Sequence, residues 1–163
     1  MGLLLFAEEV LAYHPPRRGL AQVYRLAEEL ARVQGRFLEP DYLLAFEHLQ
    51  RRLHRRSLVV FFTDFWDVDS ARPWLRSMAA LAPRHLPLFV TFADPGFWRV
   101  ARRWPEKESE VFEKALALRW LEERAAMLRE MRRQGLHLVE ATPEEMAWEV
   151  VRRYLDIKAR SLL

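Results

Sequence analysis

The chain has 163 residues, enough for one domain with a full core, and at 51% hydrophobic and 30% charged it lies far from the disordered regime. It contains no cysteine, which excludes disulfides, thiolate catalysis and cysteine-ligated zinc and suits a reducing cytoplasm, the expected location. A net charge of only +3 gives little support to a general polyanion-binding surface.

The first residues, Gly2 to Ala7, predict a buried strand, and Val10 to Tyr13 returns beside it before Pro15-Pro16 stop the ladder. The apolar run is short, lacks a preceding positive region and meets Glu8 and Glu9 at once, so it is not a signal peptide. No segment approaches the roughly 18 apolar residues of a membrane span, and the chain reads as soluble. Leu20, Val23, Leu26, Ala27, Leu30 and Val33 recur at helical spacing up to Gly35, which predicts an amphipathic helix. A second helix is expected after Pro40-Asp41, with Leu43, Leu44, Phe46, Leu49 and Leu53 inward and Arg51, Arg52, Arg55 and Arg56 at its end. Ser57 to Asp67 (SLVVFFTDFWD) predicts a buried strand that ends on Thr63-Asp64, followed by a helix over Pro73 to Leu81.

Leu86 to Phe92 is the next buried strand, again with an acidic residue, Asp94, just past its end. A short helix over Phe97 to Trp104 and a long one from Pro105 to about Gln134 follow, the latter with Val111, Ala115, Leu118, Leu121, Ala125, Leu128 and Met131 inward. Leu136 to Val139 is a third core strand, and Thr142-Pro143-Glu144-Glu145 opens a last helix running through Met146, Val150, Val151, Tyr154 and Ile157. Strands alternating with helices predict an α/β fold with a doubly wound, mostly parallel sheet, as one domain over residues 1–163.

In such sheets ligands and metals bind beyond the C-terminal strand ends, which makes Asp64 the first candidate ligand. The alternative is that Thr63 and Asp64 only end the strand while Asp67 or Asp69 caps the next helix. No phosphate-binding glycine loop, no H-E-x-x-H pair among the five histidines and no nucleophile elbow is present. Arg51-Arg52-Leu53-His54-Arg55-Arg56, with Arg17-Arg18 and Arg102-Arg103, reads either as a solvated helix end or as a contact for phosphate backbones. Trp66, Phe97, Trp98 and Trp104 follow strand ends, where aromatics serve either as partner anchors or in helix packing. The arginine-rich composition is thermophile-like.

The chain resembles one family along nearly its whole length, through GLLLFAEEV at Gly2 to Val10, PPRRG at Pro15 to Gly19, EPDY at Glu39 to Tyr42, RRSLVVFFTD at Arg55 to Asp64, RHLPLFVTFADP at Arg84 to Pro95 and RYLDIKAR at Arg153 to Arg160. That family is the bacterial and archaeal domain of unknown function 58, whose domain is similar to the von Willebrand factor A domain. The resemblance implies a Rossmann-like fold, N-terminally incomplete here because the chain begins at what matches the family's second strand and lacks a D-x-S-x-S loop. It also implies that Asp64 matches the aspartate that helps hold magnesium in metal-binding von Willebrand A domains, with Asp41 near the place of their threonine. A lone carboxylate is a poor octahedral set, so no cofactor is expected and magnesium at Asp64 is the one metal to test. What the resemblance implies about function is a non-enzymatic protein-interaction adaptor for a MoxR-type AAA+ ATPase, with a contact face of Asp41, Asp64, Phe65, Trp66, Asp94, Phe97 and Trp98. A homodimer is expected from strand edges left open by the missing strand, and neither nucleic-acid binding nor a membrane span belongs to this reading. The competing readings are a nucleic-acid-binding module built on the arginine clusters and a metal-dependent hydrolase at Asp64, Asp67 and Asp94.

Overall fold

The computed structural model describes residues 1–35, 40–63 and 81–162, which divide into two units, Met1–His54 and Arg55–Leu163. In the first unit β1 (Leu3–Phe6) pairs antiparallel with β2 (Val10–His14), and the register slips between Leu5 and Phe6. Two helices follow, α1 (Leu20–Arg32) and α2 (Tyr42–Arg52). Asp41 caps α2 by accepting from the Leu44 amide at 2.9 Å, and its own amide donates to the Ala7 carbonyl at 2.8 Å. The helix then seats its Tyr42 ring edge-on to Phe6 and its His48 ring edge-on to Tyr13.

The faces of these two helices differ from those expected. On α1 the residues that turn inward are Gln22 and Leu26, while Leu20, Val23, Leu30 and Val33 are exposed. The reason is that much of its docking is polar. Gln22 donates to the carbonyls of Met1 and Pro15, and Glu29 bonds His14 at 3.0 Å, so positions 22, 26 and 29 form the inward stripe. On α2 the buried residues are Ala45, Phe46 and Leu49, one position round from Leu43 and Leu44, which are exposed.

In the second unit β3 (Leu58–Phe62), β4 (Leu86–Phe92) and β5 (His137–Ala141) form a parallel sheet in the order β3-β4-β5. The register is Leu58↔Leu86 across the first pair and Leu88↔His137 across the second. Parallel strands need crossovers, and the described one is supplied by α3 (Pro95–Arg102) and α4 (Glu108–Arg133) between β4 and β5. α5 (Pro143–Ala159) closes the chain.

Side chains alternate across a strand, so Leu88, Val90, Val139 and Ala141 share one face, where they cluster with Met146 and, at its margin, Leu58, Val60 and Val150. Met146 and Val150 place α5 on that face. Thr91 and Glu140 lie on the opposite face and meet Arg124, which places α4 there. A three-stranded parallel sheet flanked by helices is thus a Rossmann-like α/β arrangement, as expected. The inward stripe of α4 is Ala117, Arg124, Met127, Leu128 and Met131, and the expected Val111 and Leu118 are exposed. No helix among the described residues is long and apolar enough to cross a membrane.

Candidate functional site

The C-terminal ends of β3 and β4 are the sequence's candidate site, and their backbone is held up to the last residues. The Thr63 amide donates to the Val90 carbonyl at 3.0 Å, and the Ala93 amide to the Ala141 carbonyl at 2.9 Å. Directly beyond the second of these bonds Asp94 turns the chain into α3. Its carboxylate accepts from the Gly96 amide at 2.6 Å, with Pro95 in the first helical position, where its missing N–H has no cost.

Gly96 is demanded by that cap, since a Cβ built on it lies 2.8 Å from the Asp94 carboxylate oxygen. Gly96→Ala is therefore expected to swing the Asp94 side chain off the helix end and cost about 1 kcal/mol, the usual worth of an N-cap. Urea melts of Gly96→Ala and Asp94→Ala check this, and if the two variants lose independent amounts, the cap and the glycine are not linked.

The next two residues face different ways. Phe97 stacks on Trp120 of α4 with ring centroids 4.0 Å apart, so it joins α3 to α4. Trp98, about 100° further round the helix, is 51% exposed, with the Arg102 guanidinium 5.4 Å above its ring. Beneath Trp120 lies Arg124, 6% exposed, 5.1 Å from the indole centroid. It donates to the Thr91 hydroxyl at 3.0 Å, to the Glu140 carboxylate at 3.1 Å and to the Phe92 carbonyl. A stack of Arg124, Trp120 and Phe97 thus runs from the ends of β4 and β5 outward to α3. It fixes the loop that carries Asp94 and Trp98.

Two further aromatics end the strands themselves. Phe62 is 65% exposed and Phe92 45% exposed. Because Phe62 is opposite Val90, and Val90 and Phe92 project to the same side, the two rings are diagonal neighbours on adjacent strands, about 8 Å apart at the backbone. Trp104, after α3, is also exposed, with the Lys114 ammonium over its ring.

Of the site residues expected from sequence, Asp94, Phe97 and Trp98 are brought together on one turn and helix. Asp41 belongs to the first unit, as the cap of α2. Asp64, Phe65 and Trp66 lie outside the described residues, as do Asp67 and Asp69. Among the described residues no group of three or more His, Asp or Glu side chains gathers as a metal site would need. Arg124 and Trp120 were missed. The available signal was a charged residue repeating with Ala117, Leu121, Leu128 and Met131 at helical spacing, which marks a polar group carried on an inward stripe.

A search of curated proteins found no match, and a search of solved structures found none. The family model described as protein of unknown function DUF58 matches residues 1–97. With more than half of its length covered by that match, this chain belongs to the DUF58 family.

Proposed function

We propose that the chain is a non-enzymatic protein-interaction domain of von Willebrand A-like fold, working as an adaptor for a MoxR-type AAA+ ATPase. Its contact face is the C-terminal edge of β3 and β4, with Trp98, Phe92 and Phe62 as anchors and Asp94 setting the turn between them. The observation that carries this reading is the exposure of three large aromatics, Phe62 and Phe92 at neighbouring strand ends and Trp98 on the helix that follows β4. Such side chains are costly to leave in water and are the residue types that dominate binding energy at interfaces. Among the described residues the acidic groups at these strand ends are committed to structure: Asp94 caps α3, and Glu140, on the opposite face of the sheet, pairs with Arg124. That supports a binding role over a catalytic one and a site without a cofactor. The ATPase is suggested by the family resemblance alone.

The test is sedimentation velocity of the purified chain mixed with a purified MoxR-type ATPase from the same genome. A co-sedimenting complex is expected, and two independent boundaries at every ratio would sink the adaptor reading.

Self-association belongs to the same proposal. β3 pairs only with β4 in the described sheet, and its sequence LVVFF carries neither charge nor proline to discourage a second strand. A homodimer is expected in sedimentation equilibrium, and a monomer at high micromolar concentration would contradict it.

A further inference from the structure

The opposite edge of the parallel sheet has a different chemistry. The starts of β3, β4 and β5 are tied in register, with the Leu86 amide donating to the Ser57 carbonyl at 2.9 Å and His137 opposite Leu88. α5 begins at the other edge and spans about 25 Å, which returns its last turns to these strand starts. There Arg153 donates to Nδ1 of His137 at 2.9 Å, and Arg56 donates to the Leu162 carbonyl at 3.0 Å. The guanidinium groups of Arg56 and Arg84 act on His85, whose ring hydrogen-bonds the Arg55 backbone, and Arg153 and Arg160 act on His137.

Four guanidinium groups, those of Arg56, Arg84, Arg153 and Arg160, therefore collect at one end of one sheet. None of them pairs with a carboxylate among the described residues. The contrast on α5 is sharp: Arg152 bonds Glu149 at 2.6 Å, while the adjacent Arg153 turns inward to a histidine. Asp156, on the same helix, lies near enough to act on Arg152. The negative end of the α5 dipole offsets only about half a charge.

Two buried polar atoms here lack partners, Nε of Arg153 and Nδ1 of His85, the latter on a residue only 2% exposed. An arginine only donates, so the bond from Arg153 fixes the His137 lone pair on Nδ1 and leaves its proton on Nε2. Burial first, then the neighbouring arginines, hold both histidines below their ordinary value of 6.5. Of the two unpartnered atoms, Nε of Arg153 is a donor without an acceptor.

We propose that this N-terminal sheet edge binds a small phosphate-bearing anion, with Arg153 reaching it from inside and Arg84 and Arg160 closing on it from the surface. A phosphate offers several oxygens and two charges to guanidinium forks that match its geometry, where one carboxylate would satisfy a single fork. A half-buried donor also favours a compact anion over an extended polyphosphate strand. The proposal is independent of the aromatic face at the other edge.

The test is calorimetric titration of the full chain with sodium phosphate at low ionic strength, alongside a single-stranded oligonucleotide, while the imidazole resonances of His85 and His137 are followed. Saturable one-site binding of phosphate is expected, with both rings shifting and affinity falling at least about tenfold in Arg153→Met. Arg84→Ser and Arg160→Ser, at exposed positions that leave the fold intact, are expected to weaken it similarly. Absence of saturation by phosphate, affinity unchanged in the two exposed variants, or binding of the oligonucleotide alone with a steep salt dependence would each overturn the assignment.

Discussion

Replacing Arg124 with alanine is expected to lower the unfolding free energy of the Arg55–Leu163 unit by about 3 kcal/mol. The side chain is almost fully buried and joins α4 to the ends of two strands, so its loss acts at three places. The Thr91 hydroxyl, itself fully buried, loses a charged donor, and the Phe92 carbonyl loses another. The Glu140 carboxylate is left without its partner, though its side chain is 31% exposed and water recovers part of that cost, which keeps the expected loss at the low end for a broken buried pair. Trp120 also loses the cation beneath its ring. Arg124→Met should recover the packing of the stem but none of the hydrogen bonds, and so fall between alanine and the parent. Urea denaturation followed by far-UV circular dichroism measures all three, and a loss below about 1 kcal/mol for alanine would mean that the bridge is not structural.

Phe89→Ala is expected to cost about 4 kcal/mol, more than the loss of the Arg124 bridge. Phe89 is 1% exposed in the central strand, and its ring stacks on Phe61 of β3 at 5.4 Å. Truncation leaves a cavity between β4 and α4 and removes the stacked pair, on top of the lost transfer energy. Phe89→Leu should cost less than half as much, because it refills most of the volume. Equal losses for the two variants, measured by the same denaturation, would mean that the ring rather than the volume is what the site requires.

The strands of the parallel sheet were legible from sequence because each is a short apolar run bounded by turn residues, as in LPLFVTF before Ala93-Asp94-Pro95-Gly96. Helix starts were legible for a similar reason: Asp41, Asp94 and Thr142 stand where an N-cap belongs, and the first two accept a backbone amide. Helix faces were less legible. Gln22, Glu29 and Arg124 occupy inward positions, and a reading that counts only apolar residues rotates each helix away from them. The split between Phe97 and Trp98 was hidden too, because adjacent aromatics on a helix look alike until the partner ring, Trp120, is known. The basic edge was obscured by sequence distance, since Arg56 and Arg84 at His85 and Arg153 at His137 are brought to one end of the sheet only by the register of the strands.

The central claim, that the C-terminal strand edge is a protein-binding face, is tested most directly by Trp98→Ala. Trp98 is half exposed and its one described ring contact is with Arg102 of its own helix, so its removal should change stability by no more than about 0.5 kcal/mol. As an anchor its removal should weaken capture of the purified ATPase by at least about tenfold, a loss near 1.4 kcal/mol or more. Calorimetric binding and thermal melting on the same preparation give both numbers. Unchanged affinity in a stably folded Trp98→Ala protein, or a variant that unfolds, would contradict the account.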